Sequence, residues 1–221
     1  MPPVAPNRST EDYLKTICLL QHDKARVSTS ALASHLQVAD PSITDMLKKL
    51  SRRGLVRYER YRGVELTHAG KRLALKIVRR HRLWEMFLVQ FLGFSWDQIH
   101  QEAERLEHAT SDLLERKLDE ALGFPAVDPH GDPIPTVDGT VRDTTPTPLG
   151  ESQPGSVVIV SRVSDADPRI LKYLTDLGIG LRKKIRVWET IPFDGSLRVQ
   201  IGTRERFLSA KLAQHIFVET S

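Results

Sequence analysis

Histidine and glutamate recur in the middle of the sequence at spacings that would place them on one face of an α-helix. His81 and Glu85 lie four residues apart, so their side chains point from the same side of a helix. Apolar neighbours share that side, which directs both groups toward the interior, where an unpaired charge is costly. A second set occupies an arc of about 100° on a following helix: His100, Glu104, Glu107 and His108. Imidazole and carboxylate groups gathered in this way can bind a divalent cation.

Two long helices must position these side chains. Apolar residues at helical spacing predict one helix over 69–92 and a second over 95–121. The two helices carry more apolar surface than one thin helical layer can cover, which predicts a two-fold homodimer through this region. The apolar residues that support this inference are Trp84, Phe87, Leu88, Leu113, Leu114 and Leu118.

The charge of the chain is distributed unevenly, although its net value is only +4. Residues 1–80 hold 16 Lys and Arg against 7 Asp and Glu, whereas residues 81–150 hold 5 against 13. A basic front end favours a polyanionic partner, and an acidic middle favours a cation.

The basic front end predicts a winged helix-turn-helix. A helix from Ser28 to His35 and another that starts near Pro41 and ends at Gly54 make the helix pair. Two alternating segments, 55–59 and 63–66, predict a hairpin that forms the wing. We expect DNA contacts from the starts of both helices, the basic end of the second and the wing: Ser28, Thr29, Pro41, Ser42, Thr44, Asp45, Lys48, Lys49, Arg52, Arg60 and Arg62.

The composition of the chain changes twice in its C-terminal part. Six prolines and three glycines in 125–150 predict an extended connector. Beyond it, short apolar segments around 157–160, 184–190, 197–201 and 216–219 predict strands.

Composition indicates the cellular compartment and limits the classes of protein to which the chain could belong. The chain has one cysteine, Cys18, and neither an apolar stretch long enough to span a membrane nor a signal peptide. We therefore expect a cytoplasmic protein that does not enter the membrane. Two alternatives stay open: a metalloenzyme using His81, Glu85, His100 and Glu104, which lacks a recognisable nucleophile or phosphate loop, and a DNA-binding regulator that senses an organic ligand.

Several stretches resemble the diphtheria-toxin-repressor family, and within it the manganese-transport-regulator branch. The resemblance covers most of the N-terminal half and is carried by STEDYL at 9–14, RGLV at 53–56, YRGVELT at 61–67, RHRLWE at 80–85 and EAERLEH at 102–108. The strand-rich end resembles the SH3-like domain of longer members. The resemblance implies a mainly α fold with a β domain. It predicts a winged helix (1–70), a helical dimerisation and metal-binding domain (71–124), a linker (125–150) and an SH3-like barrel (151–221).

The resemblance also implies a function and two metal sites. It implies a homodimer that binds an operator in double-stranded DNA when metal is bound, and that represses metal uptake. One site would use Asp12, Glu104, Glu107 and His108; the other would use His81, Glu85 and His100, with Asp167 as a candidate from the SH3-like domain. Lys15 departs from the pattern, because the manganese branch tends to place a second glutamate ligand there. Iron-tuned members use sulfur ligands where this chain has Asp12 and Glu104, so we expect Mn²⁺, with Fe²⁺ as the alternative.

Overall fold

The computed structural model of the protein describes residues 7–21, 26–142 and 147–220. These ranges contain helices and strands in an order that confirms the predicted fold class, a helical front with an antiparallel sheet behind. The helices are α1 (Arg8–Leu20), α2 (Thr29–Leu36), α3 (Asp40–Arg52), α4 (His68–Leu92), α5 (Ile99–Leu106), α6 (Asp112–Ala121), α7 (Pro168–Leu177) and α8 (Ala210–Ala213). The strands are β1 (Val56–Glu59), β2 (Gly63–Leu66), β3 (Thr147–Pro148), β4 (Val157–Val163), β5 (Lys184–Thr190), β6 (Leu197–Ile201), β7 (Arg204–Leu208) and β8 (Ile216–Thr220).

The first three helices and the β1–β2 hairpin form the predicted winged helix. Each helix starts as its sequence allows: Asn7 accepts a hydrogen bond from Thr10 N at 3.1 Å, Ser28 accepts one from Ala31 N, and Pro41 fits the first turn of α3. One apolar core joins these elements, and it includes Leu14, Ile17, Leu32, Ile43, Leu47, Leu50, Val56 and Val64.

The hairpin is antiparallel, and Val56 pairs with Leu66 while Glu59 pairs with Gly63. Gly63 has φ +89°, and a Cβ there would lie 2.4 Å from the carbonyl oxygen of Val27. Glycine is therefore required where the wing approaches the chain that enters α2.

The second long helix is broken, so the prediction of one continuous helix over 95–121 is wrong. α5 ends at Leu106, a single 3₁₀ turn covers Glu107–Ala109, and α6 starts at Asp112. Thr110 has extended backbone angles, and its hydroxyl donates to the carbonyl oxygen of Leu106 at 2.7 Å. Such a local hydrogen bond offers the backbone an alternative to the helix.

The chain forms two compact units. The first comprises residues 1–81, 105–112 and 135–141. Arg80 pairs with Asp112 at 2.6 Å, and Arg79 donates to the carbonyl oxygen of Pro135 at 2.8 Å. These bonds attach the two later segments to α4.

The second unit comprises residues 82–104, 113–134 and 142–221. Its six strands follow the order β3-β8-β4-β5-β6-β7, and every neighbouring pair is antiparallel. Alternate strand residues such as Val158, Val160, Ile185, Val187, Leu197 and Val199 fill its core.

Part of the predicted connector is packed against this unit. Within 125–142, Asp128, His130 and Ile134 are buried. Arg82 reaches Asp128 at 3.4 Å, and Val163 N donates to the carbonyl oxygen of His130 at 2.8 Å. Residues 143–146 of the predicted connector lie outside the described residues. None of the helices in the described ranges is long and apolar enough to cross a membrane.

Candidate metal centres and nucleic-acid interface

Three of the predicted ligands in the first unit converge. Asp12 of α1 and Glu107 and His108 of the 3₁₀ turn place ligand atoms within 4.8 Å of one another, and we call this group the first cluster. His108 Nε2 lies 2.8 Å from Asp12 Oδ1 and 3.4 Å from Glu107 Oε1. Glu107 is fully buried, so its charge requires a compensating cation.

The contact made by His108 Nδ1 indicates which ring nitrogen is available to bind a metal. Nδ1 lies 2.6 Å from Glu11 Oε2. A carboxylate oxygen only accepts hydrogen bonds, so Nδ1 donates to Glu11, and Nε2 is the nitrogen whose lone pair can bind a metal when the ring is neutral. Nε2 is buried and makes no hydrogen bond within the described part of the chain. A lone pair aimed at two carboxylates is the arrangement that a divalent cation would satisfy.

A lysine already contributes one positive charge beside this cluster. The Lys15 ammonium lies 2.8 Å and 3.0 Å from the two Glu107 oxygens and 3.0 Å from His81 Nδ1. His81 Nδ1 is also 2.5 Å from Glu107 Oε2. Burial alone would raise the pKa of Glu107, but the His81 hydrogen bond and the charge of Lys15 outweigh it, so the pKa is lowered. Glu107 is therefore ionised before any metal binds.

Glu104, the fourth residue of this predicted set, is not among the described residues whose ligand atoms converge here. It is partly exposed and lies on α5, one residue before the segment that joins the first unit. The break after Leu106 changes the direction in which Glu104 and Glu107 project, because the two are no longer one turn apart on a single regular helix.

In the second unit, Glu85 and His100 come together as predicted. His100 Nδ1 lies 3.6 Å from Glu85 Oε1, and Glu85 is buried whereas the His100 side chain is 46% exposed. His81 lies one helical turn before Glu85 on α4. This pair can therefore receive a cation from the solvent side.

The second unit also holds a cluster that the sequence did not predict. Glu85, Asp128 and His130 are all buried with ligand atoms within 4.8 Å of one another, and we call them the connector cluster. His130 Nε2 lies 3.0 Å from the carbonyl oxygen of Trp96, so Nε2 carries the proton and the lone pair is on Nδ1. Nδ1 makes no hydrogen bond within the described ranges and lies 4.0 Å from Glu85 Oε2.

Electrostatics shows that this cluster lacks positive charge. Burial, together with the charges of Glu85 and Asp132, raises the pKa of Asp128 to about 7 despite the nearby Arg82. The only sequence signal was an Asp-x-His motif within a segment that its prolines marked as a connector. Periodicity does not apply to irregular chain, so helical spacing could not have found it.

Asp167, a candidate metal ligand by resemblance, caps a helix in the structure. It is the N-cap of α7, and its carboxylate accepts from the backbone N–H of Arg169 at 2.9 Å. The guanidinium of Arg169 binds both carboxylate oxygens and, with that hydrogen bond, lowers the pKa of Asp167 to about 2. Asp167 belongs to none of the convergent ligand groups in the described residues.

The predicted DNA contacts lie on the surface of the winged helix. Along α3, Pro41, Ser42 and Asp45 are exposed near the start, and Thr44 is partly exposed. Lys48, Lys49 and Arg52 are exposed toward its end, while the opposite face of α3 is buried. Ser28 and Thr29 start α2, and Arg60 and Arg62 are exposed at the tip of the wing. Side chains of this kind can contact base edges from the first turns of α3 and phosphates from its basic end.

Three segments of the chain match models of known domain families. Residues 7–64 match the model of the iron-dependent repressor N-terminal DNA-binding domain. Residues 67–136 match its metal-binding and dimerisation domain, and residues 147–220 match the FeoA domain. The iron-dependent repressor IdeR of Mycobacterium tuberculosis is 31% identical over 223 residues, which cover 96% of both chains. The diphtheria toxin repressor of Corynebacterium diphtheriae is 32% identical over 158 residues, 72% of this chain and 66% of that one.

Solved structures give the same result. A manganese-dependent transcriptional repressor in complex with manganese superposes with a TM-score of 0.88 at 42% identity, covering 96% of this chain and all of the other. ScaR with bound Cd²⁺ superposes with a TM-score of 0.81 at 34% identity, covering 98% of this chain and all of the other. The relatives are repressors rather than enzymes, which confirms the predicted class. The chain therefore belongs to the iron-dependent repressor family, whose members are dimeric transcriptional repressors that bind divalent metal ions and operator DNA.

Proposed function

We propose that this chain is a manganese-responsive repressor of metal uptake, and that the first cluster is its regulatory metal site. The observation that carries the proposal is the buried Nε2 of His108, which faces the carboxylates of Asp12 and Glu107 while Glu11 holds the opposite nitrogen. Glu104 is the proposed fourth ligand. A repressor of this kind would act in the cytoplasm, where bacterial operator DNA is found.

The position of Asp12 supplies a mechanism for the switch. Asp12 lies on α1, which packs in the winged-helix core, whereas Glu107 and His108 lie on the 3₁₀ turn far along the chain. A cation bound by all three would fix α1 relative to that turn, and so favour one arrangement of the DNA-binding helices over others. In this proposal the apo chain samples several arrangements and binds the operator more weakly.

Glu85 and His100, two further proposed ligands, belong to the second unit. We assign Glu85 and His100 to a second site with His81 as the third ligand, and the connector cluster shares Glu85 with it. Because Glu85 belongs to both groups, they would share one ion or hold two ions that its carboxylate bridges. We do not assign Asp167 as a metal ligand, since both of its carboxylate oxygens bind Arg169.

The choice of manganese follows from the donor atoms. Carboxylate oxygens suit Mn²⁺, and the first cluster contains no sulfur. One structural relative is a manganese-dependent repressor in complex with manganese, which agrees with this choice. Iron is the second candidate, because an iron-dependent repressor matches 96% of the chain.

Activation, rather than affinity, tests the proposal. The operator is first selected from random duplexes with Mn²⁺-loaded protein, and its binding is then titrated anaerobically with Mn²⁺, Fe²⁺ and chelator. We expect Mn²⁺ to restore operator binding to the apo protein, and Asp12→Ala to abolish that response while the exposed control Asp176→Ala keeps it. Operator binding that persists in a chelator shown to remove the metal would refute the switch.

A second variant tests the metal preference of the first cluster by changing Glu104, its proposed fourth ligand. Glu104→Cys introduces a thiolate, which favours later and softer divalent metals over Mn²⁺. We expect the Mn²⁺ response to weaken and the response to later metals to strengthen. An unchanged Mn²⁺ response would show that Glu104 is not a ligand.

A further inference from the structure

Lys15 is a buried lysine whose position is explained by the metal cluster rather than by the hydrophobic core. Its side chain is 8% exposed, and its ammonium contacts both oxygens of Glu107. A buried ammonium is costly unless it is paired, and Glu107, itself fully buried, is the partner. The pair lies 92 residues apart in sequence, so it also joins α1 to the 3₁₀ turn.

The geometry divides the surroundings of Glu107 into two sides. On one side, Lys15 Nζ and His81 Nδ1 lie within 3.0 Å of its oxygens. On the other, His108 Nε2 approaches Oε1 at 3.4 Å together with Asp12. The ammonium thus occupies the place beside Glu107 and His81 where a second cation would find a carboxylate and an imidazole.

We propose that the Lys15 ammonium is a tethered replacement for a second metal ion, and that it limits the first cluster to one divalent cation per subunit. Two positive centres cannot share the Glu107–His81 side at contact distance without strong repulsion. The same ammonium compensates the charge of Glu107 when no metal is present. This inference rests on the proposed function of the first cluster as a metal site.

Lys15→Glu is the variant that tests the limit directly. It removes the ammonium and adds a carboxylate next to Glu107 and His81. We expect the variant to bind one more Mn²⁺ per subunit than the unmodified chain in equilibrium dialysis with elemental analysis. The added ion should share Glu107 with the first, so electron paramagnetic resonance should show a spin-coupled Mn²⁺ pair that the unmodified chain lacks. A coupled pair in the unmodified chain, or no added ion in a folded Lys15→Glu variant, would overturn the inference.

Lys15→Met keeps the inference testable if Lys15→Glu does not fold. Methionine removes the charge and fills similar space, so Mn²⁺ should bind the first cluster about tenfold or more tightly because repulsion by the ammonium is gone. The exposed Lys172→Met, on α7, is the matched control and should leave the affinity unchanged. Unchanged or weaker Mn²⁺ binding in Lys15→Met, with a normal circular dichroism spectrum, would contradict the proposal.

The two levels of inference fail separately. If the unmodified chain binds no Mn²⁺ that depends on Asp12 and His108, the proposed function is wrong. If it binds one such ion and Lys15→Glu adds none, only the role assigned to Lys15 is wrong.

Discussion

His108 and His130 present opposite ring nitrogens to their clusters, and in each case the remaining nitrogen has a defined acceptor. Glu11 accepts from His108 Nδ1, and the carbonyl oxygen of Trp96 accepts from His130 Nε2. These acceptors fix the tautomer and the ring orientation before any ion arrives. Residues that never touch the metal therefore contribute to its affinity.

Removal of Glu11 should weaken metal activation although Glu11 is not a proposed ligand. In Glu11→Ala, His108 loses the acceptor that holds its proton on Nδ1, and we expect Mn²⁺ affinity to fall by roughly 10–100-fold. Calorimetric titration measures the change. The exposed Glu120→Ala is the control, and equal affinities of the two variants would show that Glu11 does not position His108.

Asp128 should make the stability of the apo protein depend on pH. Its pKa is about 7 in the folded protein against an ordinary value of 3.8, so between these limits the folded chain binds the extra proton. Stability is then highest near pH 4 and falls as the pH rises toward 7, by roughly 1 kcal/mol for each pH unit crossed. Urea unfolding in chelator at several pH values measures the slope.

Asp128→Asn provides the comparison for this slope. The amide has the shape of the protonated acid and does not titrate, so we expect the variant to lose most of the pH dependence and to be the more stable protein at pH 8. A variant with the same slope as the unmodified chain would assign the effect to other groups, such as Asp132, whose pKa is also raised by burial.

Helical spacing located the proposed ligands on α4, α5 and the 3₁₀ turn, whereas Asp12 came only from the family resemblance and the connector cluster was missed. Glu107 and His108 were identified by their arc, although they lie on a 3₁₀ turn. Asp128 and His130 lie in irregular chain, where the sequence has no period to display. The ammonium of Lys15 could not be placed from sequence because its partners are 66 and 92 residues away.

At the scale of elements, regular structure was predicted well and its interruption was not. The segments 184–190 and 197–201 coincide with β5 and β6, since alternation and a turn specify a hairpin locally. The break at 107–111 contains neither proline nor glycine. It depends on the local hydrogen bond of the Thr110 hydroxyl and on the long-range pairing of Asp112 with Arg80. A helical pattern reveals neither interaction.

The two ends of α3 should affect DNA binding differently. Lys49→Ala and Arg52→Ala remove predicted phosphate contacts, so each should weaken binding to all duplexes and reduce the salt slope by about 1. Ser42→Ala should change base preference and leave the slope nearly unchanged. Fluorescence anisotropy across salt concentrations separates the two effects.

The exposed Lys172→Ala serves as the control for these measurements, because it removes the same charge from α7 rather than from the winged helix. A salt slope that falls as much for Lys172→Ala as for Arg52→Ala would assign the effect to net charge. In that case α3 would have no special role in contacting phosphates.

At the scale of the whole molecule, apolar surface remains for the partner subunit. Leu113 is 60% exposed on α6, and Phe91 and Leu92 are more than half exposed at the end of α4. Burial of a leucine contributes roughly 1.5–3 kcal/mol, and two-fold symmetry counts it twice. We therefore expect Leu113→Asp to weaken the dimer by on the order of 100-fold or more.

Sedimentation at micromolar concentration measures this change, with Val137→Asp as a control at a more exposed position. We expect Leu113→Asp to sediment as a monomer and to bind a two-half-site operator poorly, because the second half-site contact is lost. A stable Leu113→Asp dimer would place the subunit interface elsewhere.

Composition did not reveal that part of the predicted connector is packed. Composition marked 125–150 as a connector, whereas Asp128, His130 and Ile134 are buried in the second unit. Proline and glycine content measures how poorly a segment forms helices or strands, and it does not measure whether the segment packs. Grouping depends on long-range pairs such as Arg82 with Asp128, which leave no local trace.

The long separation between the halves of the first cluster has a consequence during synthesis of the protein. Glu11 and His108 are 97 residues apart, whereas the winged helix and its hairpin are complete by residue 66. On the ribosome, all DNA-contacting elements emerge well before the turn that supplies Glu107 and His108. A nascent or truncated chain that ends before this turn would carry the DNA-binding elements and Asp12 without Glu107 and His108, so premature termination would separate DNA binding from its control by the first cluster.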